Sequence, residues 1–418
     1  MTIVAPADGG VSMARALLLS VFVMVLLSTS IAIGLEIAAY LAFMVAPELR
    51  RRLFAVMRHP VTIALLPFAA IIVAATFYGP ASWADSLTSL VAWRRMLLLP
   101  LAAAVFDDAE SKKLALKVLV VTCLVGALAS FVMAAESSVL TVRLYGGIVF
   151  RNYATQGIIF SVTTIVCIAA ILRPEGFTGD RLLGNRWVMA GVAAILVVDI
   201  VFVLWGRTGY LSLVVMSVAA VVFLARGTWR VKVLAGLAIL VCGAAILPAS
   251  THVRHRVAQA LTEIETVDRT PEGTQLGQRV VMWRNTVRMI RDHPVFGVGT
   301  GGFQDGYRQY VQGVAGWQGH ETGDPHNQFL KVQGEQGVVG LAAFLFFIVS
   351  ALRVPAPAPY RQLAAAALLG WCATSLANSD FSTLVEGRLI FFWLGAMLGG
   401  GLLPTEVKRV DAQPEGSP

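Results

Sequence analysis

The chain is a succession of long apolar stretches separated by short polar ones, and this pattern continues along nearly its whole length. A helix needs roughly 20 apolar residues to cross the hydrocarbon core of a bilayer, and most of these stretches approach that length. The strands of a membrane barrel would alternate over short segments, whereas these stretches are continuous. The pattern therefore predicts about twelve membrane-spanning helices. We place them at residues 14–29, 31–46, 61–77, 91–106, 114–134, 154–172, 188–204, 209–225, 233–249, 325–352, 362–378 and 388–403.

The composition supports the same class of protein. Of the 418 residues, 57% are hydrophobic and 14% are charged, and the mean hydropathy is +0.72. A soluble domain of this size cannot bury so much apolar surface, so lipid must be the solvent for most of it. The net charge of +8 does not predict a nucleic-acid partner, because in a membrane protein the placement of charge matters more than its total. We therefore predict an all-α polytopic membrane protein with membrane lipids as partners.

The basic residues predict the orientation. The short loops on one side of the predicted spans are the richer in Lys and Arg, for example at Arg50, Arg51 and Arg52. Such loops face the cytoplasm, so both termini are predicted to lie inside a bacterial inner membrane. The chain then divides into transmembrane helices 1–9 (1–249), a large periplasmic loop with amphipathic helices (250–324), transmembrane helices 10–12 (325–403) and a cytoplasmic tail (404–418).

The large loop contains a predicted amphipathic helix at 278–291. At 100° per residue an apolar stripe forms from Val280, Trp283, Val287 and Ile290. A basic edge lies about a quarter-turn away and is formed by Arg284, Arg288 and Arg291. Arg279 falls on the far flank of the stripe, so we expect it to point toward whatever the helix packs on. The alternative interpretation of the basic edge is a solvated or lipid-phosphate-binding face.

A glycine-rich run, FGVGTGGF at 296–303, follows this helix, which His293 and Pro294 are predicted to end. Backbone N–H groups of such a run can bind phosphate. No strand precedes it and no GK[ST] closes it, so a tight turn is the favoured interpretation. Glu263 and Glu265 form an ExE on a second predicted amphipathic helix, 252–266, where a solvated face is the default.

The sharpest local feature is Asp324-Pro325-His326-Asn327. Asp is a favoured N-cap and Pro is favoured at the first helical position, so a helix should begin here. His326 would then lie in the first turn, at the positive end of the helix dipole. That location disfavours the imidazolium and keeps a neutral ring available as a base. A lone His is more often structural, and other histidines of the loop compete for the role.

Arg207, in WGRTGY, stands in a tight turn between two apolar helices. An ionisable residue so close to the membrane predicts a function, with contact to lipid phosphate as the alternative. Arg143 and Arg151 flank another short outer loop. No HExxH or DxD occurs, and we predict neither a metal site nor a cofactor. Arginines would then neutralise a diphosphate through their bidentate geometry.

Taken together, these motifs resemble the signature of the O-antigen ligase and polymerase superfamily. The matching elements are Arg207-Thr208-Gly209, Arg279 with Trp283, HPVFGVGTGGF, and His326-Asn327 with Glu335 and Gly337. They cover about 200–345 in the family's order, and a twelve-helix layout with one large late periplasmic loop fits the rest. The layout is most similar to that of the O-antigen ligases.

The resemblance implies a metal-independent, inverting glycosyltransferase of the GT-C class. Its donor would be a glycan on undecaprenyl diphosphate, and its acceptor the outer core sugar of lipid A–core. Arg207 and Arg279 would hold the diphosphate, and His326 would act as the general base. The predicted substrate-binding residues are Arg143, Arg151, Arg284, Arg288, Asn327 and Trp283.

Three alternatives remain open. An O-antigen polymerase uses similar donors but usually spreads its arginines over two sizeable periplasmic loops. A protein O-oligosaccharyltransferase often carries an additional C-terminal soluble portion. A lipid or glycolipid transporter would show an internal repeat and ionisable groups at mid-membrane. The polar candidates near span interiors are Glu36, Asp199 and Asn378.

Overall fold

The computed structural model describes residues 9–139, 147–204, 206–246 and 274–400, together with 254–255, 258–259 and 261–263. Over these residues the chain is helical and has no strand, so the predicted all-α polytopic class is confirmed. The α-helices, numbered in chain order, are α1 Gly9–Leu27, α2 Thr29–Val45, α3 Pro47–Val56, α4 Pro60–Ala74, α5 Trp83–Ala92, α6 Leu98–Val105, α7 Ala109–Val139, α8 Tyr153–Leu172, α9 Arg186–Val198, α10 Arg207–Leu224, α11 Trp229–Ile246, α12 Gln275–Asp292, α13 Phe303–Arg308, α14 Gln328–Arg353, α15 Tyr360–Thr374 and α16 Glu386–Leu398.

Among the described residues, eight helices are long and apolar enough to cross a membrane, or nine if the bent pair α2 and α3 counts as one span. The predicted total of about twelve is not confirmed. The helices α15 and α16 lie on predicted spans but have only 15 and 13 residues, fewer than a crossing helix usually needs. All 13 residues of α16 are buried, so its apolar composition reflects an interior position among other helices.

The first two predicted spans are separate helices that meet at Ser28. The Ser28 hydroxyl accepts from the backbone N–H of Ile31 and caps α2. Beyond Ala46 the chain bends by 96° into α3. The predicted turn in this region, between spans 14–29 and 31–46, is therefore confirmed.

Small residues bring α8 and α10 close together. A Cβ added to Gly157 would lie 2.6 Å from the Cα of Gly209, and the hydroxyls of Ser161 and Ser212 are 2.9 Å apart. Membrane helices pack closely through such residues. This packing fixes the start of α10, and with it Arg207, beside the start of α8.

The charged residues near span interiors have partners inside the protein. The Glu36 carboxylate accepts from Nε and Nη2 of Arg388 at 2.9 and 2.7 Å, which ties α2 to α16. Asp199 lies in a π-helical turn that follows α9, and Gln156 donates to it at 3.4 Å. These contacts hold helices together, as expected for charges placed in a protein interior.

The glycine-rich run joins α12 to a break in α14. Gly337, inside α14, has φ 65° and ψ −167°, which interrupts the helical hydrogen bonds. The freed carbonyls of Gly334 and Glu335 accept from the backbone N–H groups of Val298 and Gly299 at 2.9 and 2.8 Å. The N–H groups of Val298 and Gly299 are thus hydrogen-bonded to protein carbonyls and are not free to bind phosphate, which agrees with the interpretation of the run as a tight turn. We call this contact the glycine clasp, residues 294–300 against 334–339.

Candidate functional site

Arg207 is the first residue of α10, after the N-cap Gly206. Its Nη2 atom lies 3.6 Å from Oε1 of Glu263, within ion-pair range but beyond a hydrogen bond. This buried nitrogen has no hydrogen-bond partner among the described residues. A buried donor without a partner requires an explanation, and an anionic ligand is one that fits its charge.

Glu263 does not lie on a solvated face, so that prediction is wrong. Its side chain is 4% exposed, and its Oε2 accepts from the backbone N–H of Leu276 at 3.0 Å. The residue connects the segment before α12 to the start of α10. The sequence suggested a solvated helix because two glutamates so close together usually face water. The contact of Glu263 with the start of α12 leaves no periodic pattern in the sequence from which it could be predicted.

Asn378 connects three helices at this place. Its Oδ1 accepts from Nη2 of Arg279 on α12, and its Nδ2 donates to Oγ1 of Thr208 on α10, both at 3.3 Å. Its carbonyl accepts from the backbone N–H of Gln328, the first residue of α14, at 3.0 Å. Arg207 and Arg279, which are distant in sequence, are therefore brought together, and Arg279 points inward as predicted.

The electrostatics of the pair follow from this proximity. Burial lowers the pKa of Arg279, and the positive charge of Arg207 lowers it further, while Tyr153 and Asp380 oppose the shift. Two neighbouring cations that lose water in this way bind a multiply charged anion more strongly than single exposed arginines do.

His326 lies just before α14, and the predicted helix start at Pro325 is wrong. His326 has φ 51°, in the left-handed region, and Asn327 is the N-cap of a helix that begins at Gln328. The Asn327 Oδ1 accepts from the N–H groups of Phe329 and Leu330 at 3.0 and 3.1 Å. The imidazole is therefore not in the first helical turn, because its backbone conformation is incompatible with the helix.

Asp324 determines this conformation. Its Oδ1 accepts from the backbone N–H of His326 at 2.7 Å and from Oγ of Ser379 at 2.6 Å. Its Oδ2 accepts from Nζ of Lys331 at 3.1 Å. Burial alone would raise the pKa of Asp324, but the charge of Lys331 and the bond from Ser379 hold it below the usual value. Asp324 is thus an anion that anchors the His326 backbone.

The surroundings of His326 favour its neutral imidazole. Loss of hydration lowers its pKa below the ordinary 6.5, the charge of Asp324 opposes the shift, and the charges of Arg279 and Lys331 add to it. Burial and neighbouring cations, rather than the helix dipole, are therefore the cause. Asn378 places the His326 segment next to the arginine pair, because its side chain accepts from Arg279 and its carbonyl accepts from the N–H of Gln328.

Trp283 and Asn327 hold the His326 segment in place. The indole Nε1 of Trp283 donates to the carbonyl of Pro325 at 2.9 Å. The Nδ2 of Asn327 donates to the carbonyl of Leu376, also at 2.9 Å. One residue fixes the segment to α12 and the other fixes it to the connection between α15 and α16.

Arg151 has the same local structure as His326. These two are the non-glycine residues with positive φ in the described part of the chain, at 49° and 51°. Each precedes an Asn that caps a helix, and Oδ1 of Asn152 accepts from the first N–H groups of α8 at 2.8 and 2.9 Å. Tyr153 then packs on Gly206, where an added Cβ would lie 2.7 Å from its ring. Strained residues of this kind concentrate at functional sites.

The other predicted arginine of this loop, Arg143, lies outside the described residues.

Arg284 and Arg288 are exposed on α12, as the helical pattern predicts. The Nη1 of Arg288 donates to Oδ1 of Asn285 at 3.4 Å. The buried face differs from the predicted apolar stripe, since Val287 is 37% exposed while Asn285 and Thr286 are buried. The helix packs partly through polar groups, because Asn285 also donates to the Tyr307 hydroxyl at 3.2 Å.

Sequence reasoning missed Asp380, a further titratable residue at the site. It is buried, and its Oδ2 has no hydrogen-bond partner within the described residues. Burial raises the pKa of Asp380 to about 7, and Glu386 and Asp324 raise it while Arg279 lowers it. Its position in SLANSD, after an apolar run, gave no signal. No three His, Cys, Asp or Glu side chains in the described ranges lie close enough to hold a metal ion.

Comparison with known proteins matches part of the chain to a recognised domain. Residues 192–345 match the family model described as O-antigen ligase, and this segment contains Arg207, Arg279 and His326. A stretch of 152 residues is 28% identical to an uncharacterized protein of Haemophilus influenzae. That match covers 34% of this chain and 37% of the relative, so it spans little more than a third of either protein. The resemblance to the O-antigen ligase and polymerase superfamily that the motifs predicted is therefore confirmed over residues 192–345.

Proposed function

We propose that this protein is an O-antigen ligase. It transfers polysaccharide from undecaprenyl diphosphate to lipid A–core at the periplasmic face of the bacterial inner membrane, with both termini in the cytoplasm. The observation that carries the proposal is the arginine pair, Arg207 and Arg279, in which Nη2 of Arg207 is buried without a hydrogen-bond partner within the described residues and which lies next to the His326 segment. We thereby go beyond the family match over residues 192–345 by naming the donor and the acceptor.

The arginine pair binds the diphosphate of the donor. Arg207 lies at the positive end of the α10 dipole, and its buried Nη2 has no hydrogen-bond partner within the described residues. The diphosphate gains negative charge as it leaves the sugar, so the pair stabilises the transition state more than the ground state. In this role the guanidinium groups supply the charge that a divalent cation supplies in other enzymes, and transfer proceeds without metal.

His326 acts as the general base. A ring nitrogen accepts the proton of the acceptor hydroxyl as the hydroxyl oxygen attacks the anomeric carbon. The bond from that carbon to the diphosphate oxygen breaks on the opposite face, and the undecaprenyl diphosphate takes the electron pair. One displacement inverts the anomeric configuration. The imidazolium then loses its proton to water.

The remaining predicted residues have supporting roles. Trp283 and Asn327 position the His326 segment through their bonds to Pro325 and Leu376. In our proposal the exposed arginines Arg151, Arg284 and Arg288 bind phosphates of the acceptor core or of surrounding lipid. We propose the same role for Arg143, which lies outside the described residues.

A reconstituted transfer assay tests the proposal. Purified protein in liposomes receives donor polysaccharide on undecaprenyl diphosphate, lipid A–core and a chelator, and gel electrophoresis separates the products. We expect polysaccharide on lipid A–core in the presence of the chelator. Longer undecaprenyl-linked chains without ligation would identify a polymerase. Transfer to Ser or Thr of a periplasmic protein would identify a protein glycosyltransferase, and no transfer at all would favour a transporter.

A further inference from the structure

We infer that a polar pocket next to the His326 segment binds the sugar of the acceptor. This inference rests on the proposed function and adds the location of the acceptor. The pocket has a volume of about 370 Å³, and its lining includes Thr88, Ser89, Gln304, Lys331 and Ser382. We call it the acceptor pocket. Its volume lies in the range of about 300–1,000 Å³ that is typical of small-molecule sites.

Several of the cationic side chains that line the acceptor pocket already have partners within the protein. Arg308 contacts Asp305 and Glu321 at 2.8 and 2.9 Å, and Lys331 bonds to Asp324. Arg95 donates to the backbone carbonyls of Ala92, Ser382 and Thr383. The pocket therefore differs from the arginine pair, where Nη2 of Arg207 lacks a hydrogen-bond partner. Carboxylates, hydroxyls and an amide in the lining suit sugar hydroxyls better than phosphate.

The acceptor pocket begins where the His326 segment ends. Gly323 and Lys331 line it, and Lys331 shares the Asp324 carboxylate with the backbone of His326. The imidazole also senses the charges of both Arg279 and Lys331. None of the groups around the arginine pair, namely Tyr153, Thr208, Glu263 and Asn378, lines the pocket.

The chemistry requires this order. In an inverting displacement the acceptor hydroxyl attacks from the face opposite the leaving group, and the base lies on the acceptor side. With the diphosphate on Arg207 and Arg279 and the base at His326, the acceptor sugar must lie close to His326. The acceptor pocket adjoins the His326 segment through Gly323 and Lys331.

Variants of α5 test the inference. Thr88→Trp narrows the acceptor pocket from an exposed position, whereas Val91→Trp on the same helix adds the same side chain at a position that is 55% exposed and outside the pocket. We expect Thr88→Trp to raise KM for lipid A–core about tenfold or more while KM for the donor changes less than about twofold. Val91→Trp should change neither. Gln304→Ala, which is a milder change, should raise KM for the acceptor in the same direction.

A binding measurement separates this inference from the proposed function. Core oligosaccharide released from lipid A is titrated into detergent-purified protein, and saturation-transfer NMR reports binding. Binding by the wild type and by Val91→Trp, but not by Thr88→Trp, supports the pocket even if no transfer is found. Equal binding by all three proteins, or a rise in KM for the donor instead of the acceptor, overturns the inference. So does an absence of binding by wild-type protein that transfers glycan normally.

Discussion

Replacing Asp324 with Asn tests whether the His326 conformation is built for catalysis. The amide keeps an oxygen where Oδ1 accepts from the His326 N–H and from Ser379 at 2.7 and 2.6 Å. It places an NH₂ group where Oδ2 accepts from Lys331 at 3.1 Å. A hydrogen bond to a charged group contributes about 1.5–3 kcal/mol, and Asp324→Asn loses one such bond. If all of this free energy is expressed in the position of His326, kcat falls by about ten- to a hundredfold.

The pH dependence of transfer gives the same variant a second readout. The base works when neutral, so kcat/KM falls as the pH drops through the pKa of His326, which lies below 6.5 in the wild type. The Asp324 charge raises that pKa, so its removal lowers the pKa further. We therefore expect the acidic limb of the Asp324→Asn profile to move to lower pH while the plateau falls. A purely structural defect would lower the plateau without moving the limb.

Asp180 provides a matched control at the opposite face of the membrane. Its Oδ1 accepts from the N–H groups of Leu182 and Leu183 at 3.0 Å, and its Oδ2 contacts Nζ of Lys117 at 2.9 Å. Asp180→Asn therefore makes the same chemical change far from the site. Transfer rates at several pH values are measured in liposomes for both variants, and melting temperatures in detergent. Equal loss of transfer in both, or an unchanged limb and plateau in Asp324→Asn, would refute the reasoning.

Three further predictions follow from the site and the glycine clasp. Gly337→Ala should destabilise the protein by about 3 kcal/mol or more, because its Cβ would lie 2.0 Å from the Val295 carbonyl oxygen. In the control Gly191→Ala the added Cβ meets nothing within 4 Å, so the melting temperature in detergent should stay nearly unchanged. Arg207→Lys should lower kcat/KM for the donor less than Arg207→Ala, which should lose about 10²–10³-fold, and equal losses in steady-state transfer would argue against bidentate binding. The pKa of Asp380 is raised to about 7 in the folded protein, so the free energy of unfolding should decline as the pH rises from about 4 to 7. Melting temperatures measured over this range should show that Asp380→Asn removes the decline. A decline that persists in the variant would mean that another group titrates.

The local elements were largely predictable from the sequence. The boundary at Ser28, the helix that ends at His293 and the turn at 296–303 all follow from capping residues, Pro and Gly. Span count was less predictable, because hydropathy does not separate a helix buried by protein, such as α16, from one surrounded by lipid. The helix start near His326 was wrong by three residues, since Asn327 competes with Asp324 as an N-cap and only tertiary contacts select between them.

The candidate site was predictable residue by residue but not as an arrangement. Arg207, Arg279 and His326 carried the motifs, yet the residues that connect them carried no pattern. Asn378 appeared only as a polar residue near the end of an apolar run, although it joins Arg279, Thr208 and α14. Contacts between segments so distant in sequence depend on the packing of the whole helix bundle, which no local periodicity encodes.

The most direct test of the central claim is single-turnover transfer by His326→Ala with donor binding measured on the same preparation. Wild-type protein and the variant receive radiolabelled undecaprenyl-diphosphate polysaccharide, and bound donor and labelled lipid A–core are both quantified. We expect the variant to bind donor to within about twofold of the wild type, because the arginine pair is intact, and its transfer rate to fall by about 10²–10⁴-fold. Transfer at a rate near that of the wild type would contradict the assignment of His326 as the base. Loss of donor binding in the variant would contradict the separation of its role from that of Arg207 and Arg279.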